Sequence, residues 1–164
     1  MDCDFLPNSI KYYMQNKEVA EQNYNEAIKQ KEIIIAIFYK SKKANKEKTT
    51  NTLKKMNQAI KAAKEVYKET VTKTSLNALR EILVLNNIVK KQMKYLLVVQ
   101  QTYYERPNIS TAKVLEQAYE DYKKAVFSRK AVIEVYQTAM QADEEIDTSD
   151  DDDDDDNNYD DDKL

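Results

Sequence analysis

Two blocks of opposite charge are the groups in this sequence best suited to chemistry. Seven consecutive aspartates, Asp150, Asp151, Asp152, Asp153, Asp154, Asp155 and Asp156, lie in a C-terminal stretch, 143–164, with 14 acidic residues and one lysine, a local charge of −13. Residues 1–142 hold 15 acids and 25 bases and carry +10, so the net charge of −3 is a near-cancellation. Bases concentrate at Lys40, Lys42, Lys43, Lys46, Lys48, Lys54 and Lys55, with only Glu47 opposing them in that stretch, and recur at Lys90, Lys91, Lys94, Lys123, Lys124, Arg129 and Lys130. Such groups bind phosphates, and each contact adds both to affinity and to its salt dependence. The chain has only three arginines, Arg80, Arg106 and Arg129. Bidentate base reading favours arginine, so any nucleic-acid recognition is expected to be sequence-independent. Tyr103 and Tyr104 beside Arg106 form the one local group suited to base stacking.

The aspartate run offers oxygen ligands to a hard cation, but it lacks the glycine and the spaced ligands of an EF-hand loop. It reads as a solvated, disordered segment, because its composition buries too little apolar surface to order itself. Tethering gives it a high effective concentration against the basic body. The tail is therefore expected either to screen the body and compete with polyanions, or to engage a basic partner.

Catalysis is poorly provided for. There is no histidine and no glycine, hence no general base with an ordinary pKa near neutrality and no glycine-rich phosphate cradle. A di-iron helical bundle would need Glu-x-x-His motifs, which this chain does not contain. No catalytic residue, metal or cofactor is expected. The lone cysteine, Cys3, excludes an internal disulfide.

The elements that carry these charges are expected to be helices. The body is rich in straight-chain helix formers, and the absent glycine and two prolines argue against hairpin-rich folds. Apolar residues recur near every seventh position: Ile10, Tyr13, Met14, Ala20, Tyr24, Ala27, Ile28, Ile34, Ile35 and Phe38, interrupted by Lys17 and Lys31. This spacing predicts a helix from Asn8 or Ser9 to about Lys43. A second stripe, Leu53, Met56, Ile60, Ala63, Tyr67 and Val71, predicts a helix from about Asn51. The β-branched and hydroxyl-rich Thr70–Ser75 stretch then coincides with a slip in the apolar phase, which predicts a break at 72–75. A continuous kinked helix over 51–105 is the alternative. A third stripe runs Leu79, Ile82, Val89, Met93, Leu96 and Tyr103, with Asn86 and Gln100 in it. Pro107 ends that helix, with Ser110 as the next cap. The fourth stripe is Leu115, Ala118, Tyr122, Ala125, Val126, Val132, Ile133, Tyr136, Ala139 and Met140, interrupted by Arg129.

The expected fold is therefore all-α: an antiparallel up-down bundle of about four long helices with coiled-coil-like packing over residues 1–142, followed by a disordered acidic tail over 143–164. A long helical hairpin that completes its core by oligomerising is the competing architecture. In the four-helix form the tail leaves from the end opposite the lysine-rich turn.

These features point to a non-enzymatic structural, assembly or protein-interaction protein whose tail tunes its electrostatics. Self-association or a protein partner is expected, with a nucleic-acid-binding or nucleic-acid-mimicking regulator as the second class. The Lys, Asn, Ile and Tyr bias and the aspartate run fit a viral or phage virion or scaffold component. No apolar run approaches the roughly 20 residues needed to span a bilayer. The acidic Met-Asp-Cys-Asp start is unlike a basic secretory leader. The location read from this is intracellular, cytoplasmic or nuclear, or inside a virion.

Overall fold

A computed structural model describes residues 3–40 and 46–148. A short 3-10 turn, Cys3–Phe5, leads into three helices: α1 (Asn8–Lys40), α2 (Lys46–Glu105) and α3 (Ile109–Thr148). No strand occurs among the described residues. The fold is all-α as expected, with three helices in place of four.

The correction lies at Thr70–Ser75, where the expected break is absent and α2 runs on for 60 residues, about 90 Å. The hydroxyls that were expected to compete with the helix bond back onto it. Thr70 Oγ1 donates to the Tyr67 carbonyl at 2.7 Å, Thr72 Oγ1 to Lys68 at 3.0 Å, Thr74 Oγ1 to Thr70 at 2.7 Å and Ser75 Oγ to Thr72 at 2.9 Å. The phase slip is real but does not require a break. The inward positions run Tyr67, Val71, Thr74, Ala78, Ile82, Leu85 and Val89. Two successive spacings of four, 74–78–82, make an eleven-residue step from 71 to 82, and such a stutter locally unwinds a supercoil within an unbroken helix. The seam therefore passes through Ala78 where the sequence suggested Leu79. Leu79 and Met93 are exposed.

Both other helices pack antiparallel on α2, but on different lengths of it. The partnerships Tyr13–Thr74, Ser9–Glu81 and Tyr24–Tyr67 set the α1 register. Arg129–Asn86 and Lys68–Asp147 set that of α3. The three helices coincide only around residues 8–28, 64–85 and 127–148. This waist holds two core clusters. One joins Leu6, Ile10, Ala78, Leu85, Ala131, Val132 and Val135. The other joins Ala20, Tyr67, Val71, Ala139 and Ile146. On one side of the waist, the rest of α1 and the start of α2 form a two-helix basic arm. On the other, the end of α2 and the start of α3 form a second two-helix arm.

Local signals explain the ends. Asn108 and Thr111 close α3 reciprocally: the Thr111 N–H donates to Asn108 Oδ1 at 2.9 Å, and the Asn108 N–H donates to Thr111 Oγ1 at 3.0 Å. This is a capping-box arrangement, and it replaces Ser110 as the cap. At its other end α3 continues past Ala142 to Thr148, because Ile146 extends the inward stripe from Ala139 and is buried. The first acidic residues, Asp143–Asp147, thus belong to the helical body and not to a disordered tail.

One consequence is testable by chemical denaturation. Ile10 is fully buried where all three helices meet, whereas Ile37 on the basic arm is 54% exposed. Ile10→Ala should lower unfolding free energy by about 2–5 kcal/mol. Ile37→Ala should change it by under about 1 kcal/mol.

Candidate interaction surfaces

The bases singled out in the sequence fall into two groups at opposite arms. Lys40, Lys48, Lys54 and Lys55 lie on the basic arm, and Lys46 opens α2. Lys42 and Lys43 lie outside the described residues. Lys90, Lys91 and Lys94 share a level of the second arm with Lys123 and Lys124, with Lys130 nearby. About 40 residues of α2 separate the groups, roughly 60 Å along the axis. They are two surfaces, not one.

The second group is partly engaged. Arg129 Nη1 donates to Asn86 Oδ1 at 3.3 Å. The polar interruptions in two separate apolar stripes therefore meet one another across the α2–α3 interface. Lys123 sits 5.2 Å from the Tyr119 ring centroid and 3.6 Å from a Glu120 oxygen. Tyr103 and Tyr104 are adjacent but tilted, with centroids 6.1 Å apart, and they present no parallel stacking platform.

The basic arm is the stronger electrostatic feature. Residues 29–68 contain 12 lysines and three glutamates, a charge of +9. Sequence reading missed part of it, a stripe of Lys54, Lys61, Lys64 and Lys68 along one flank of α2. The signal was present: the spacings of seven, three and four place these residues on one helix face. That flank is the one that faces α3, because Lys68 Nζ pairs with Asp147 Oδ1 of its last turn. Asp150–Asp156 lie outside the described residues.

Beside this pair, Glu21, Tyr24, Asn25, Tyr67, Ala142, Glu145 and Ile146 line a shallow cleft. Burial raises the pKa of the Tyr67 phenol above its ordinary value of 10.0, and Glu21 and Glu145 push in the same direction. Among the described residues no cluster of three or more potential metal-ligating side chains occurs. No helix there is long and apolar enough to cross a membrane.

The second arm exposes apolar residues on both flanks of its seam. Leu83, Leu97 and Tyr104 occupy one flank of α2, and Val84, Ile88, Tyr95 and Val98 the other. Val98 is 65% exposed and, on α3, Ile109 is 78% exposed.

The raised phenol fixes a pH response. The unfolded chain ionises Tyr67 first, so the folded state binds the proton more tightly. The contribution of Tyr67 to stability is unchanged well below pH 10 and falls as pH rises through that value. Ultraviolet titration should show a tyrosine component ionising above pH 10, and Tyr67→Phe should remove it.

Comparison with family models, with curated proteins and with solved structures gave no match to this chain.

Proposed function

We propose that this is a non-enzymatic helical assembly protein that works by protein–protein association through its arms. The observation that carries this reading is the exposed apolar surface of the second arm. Val84, Ile88, Tyr95 and Val98 share one flank of α2, with Lys91 between them, and have no third helix over them. Contiguous exposed apolar surface of this kind marks interaction sites in soluble proteins. Laying another amphipathic helix into a two-helix groove is an established recognition mode. Two half-bundles on one rod would let copies of the chain complete each other's arms, which fits a scaffold or virion component.

The charge of the basic arm supports a second reading, sequence-independent binding of a polyanion. Twelve lysines against three glutamates over residues 29–68 would give an affinity that falls steeply with salt.

The two are separated by sedimentation and by binding to generic duplex DNA across a salt series. Assembly predicts an average mass that rises with concentration to at least twice that of the monomer, and a return to monomer in Val84→Glu/Val98→Glu. A monomer at every concentration, with salt-dependent retention on DNA, would reject assembly in favour of the second reading.

A further inference from the structure

We propose that residues 149–164 dock in cis along the basic arm, over Lys54, Lys61 and Lys64 of α2, continuing from the Lys68–Asp147 pair into the place a third helix would take. This goes beyond the assembly reading and does not depend on it.

With three helices, α3 runs parallel to α1 and points toward the lysine-rich turn, opposite to the four-helix expectation. It ends at Thr148, level with Tyr24 and Tyr67, where the basic arm begins.

The last turn of α3 already touches the stripe through Lys68–Asp147. From Lys68 the stripe continues to Lys64, Lys61 and Lys54, about 21 Å along α2. Continuing the antiparallel register of α3 brings the aspartate run alongside this stretch.

Sixteen residues span about 24 Å as helix or up to about 54 Å extended, enough to cover the stripe in either form. Residues 149–164 hold ten acids and one lysine, a charge of −9, against +9 on residues 29–68. The tether holds these opposite charges at high effective concentration, and added salt weakens their attraction. The docked tail occupies the surface a polyanion would use, so the contact is autoinhibitory.

Paramagnetic relaxation in the full-length chain tests this. A nitroxide is placed at Tyr159→Cys in a Cys3→Ser background, and α2 amides are read by heteronuclear NMR. Docking predicts selective broadening of α2 amides on the basic-arm side of Lys68, centred near residue 56 for a helical tail and toward the start of α2 for an extended one. The broadening should be lost at about 1 M salt, where the screening length is near 3 Å, and lost when Asp150–Asp156 are all replaced by Asn. That variant leaves the helical body untouched, so unchanged signals from Ile10 and Val132 verify the fold. Isotope-labelled chains mixed with spin-labelled, unlabelled chains should show no broadening. Uniform or absent broadening in the full chain would overturn docking. Selective broadening in the mixed sample would overturn the cis assignment and place the tail on a second copy.

Discussion

The architecture depends on α2 staying helical through Thr70–Ser75. At that point all three helices meet, and Val71 and Thr74 have no exposed surface. Thr74 is the one polar side chain that is buried among the described residues. Its hydroxyl lies 2.7 Å from the Thr70 carbonyl and 3.2 Å from that of Tyr13, which satisfies it locally and ties α2 to α1. Threonine costs only a few tenths of a kcal/mol in helix propensity, whereas burying an apolar side chain contributes about 1.5–3 kcal/mol. Packing therefore outweighs propensity here, and the helix continues. From that continuity follow the three-helix topology, the stagger of α1 and α3, and the two arms.

Much of this was legible in the sequence, and the misses have specific causes. The α1 stripe was read correctly, including Lys17 and Lys31, which are half-buried. Their stems can lie along apolar surface while the ammonium reaches water. The start of the α2 stripe, from Leu53 to Val71, was also correct. The error came from treating a phase slip and a hydroxyl-rich stretch as independent signs of a break. The slip is a stutter, and the hydroxyls bond to their own helix. Reading across helices, rather than along one, would have been needed to see that Asn86 and Arg129 answer each other. The acidic residues from Asp143 on do not stop α3, because Ile146 keeps the inward spacing after Ala139 and Ala142. For the candidate surfaces, the sequence identified the lysines but could not place them. Only the fold separates them into groups roughly 60 Å apart and shows which face α3.

Topology also reverses the electrostatic geometry. A fourth helix would have carried the acidic segment away from the lysine-rich turn. Three helices bring the end of α3, Thr148, to the base of the arm with the highest positive charge, next to the Lys68–Asp147 pair. The other arm differs in chemistry, with apolar flanks punctuated by Lys90, Lys91 and Lys94. Covering such a surface requires acidic groups opposite those lysines as well as apolar ones opposite the flanks, since burying the lysines unpaired would be costly. The rod thus presents two chemically distinct ends, and a charge-reversing change on one should leave the other intact.

The most direct test is the distance between two exposed glutamines on α2, Gln58 and Gln101. Spin labels at Gln58→Cys and Gln101→Cys, with Cys3 replaced by Ser, report it by pulsed electron resonance in samples diluted with unlabelled protein. An unbroken α2 separates them by 43 residues, about 65 Å, and a single population near that distance is predicted. A reversal at 72–75 would fold the two halves together and bring the labels within about 30 Å. A dominant population at that shorter distance would contradict the three-helix topology and everything built on it.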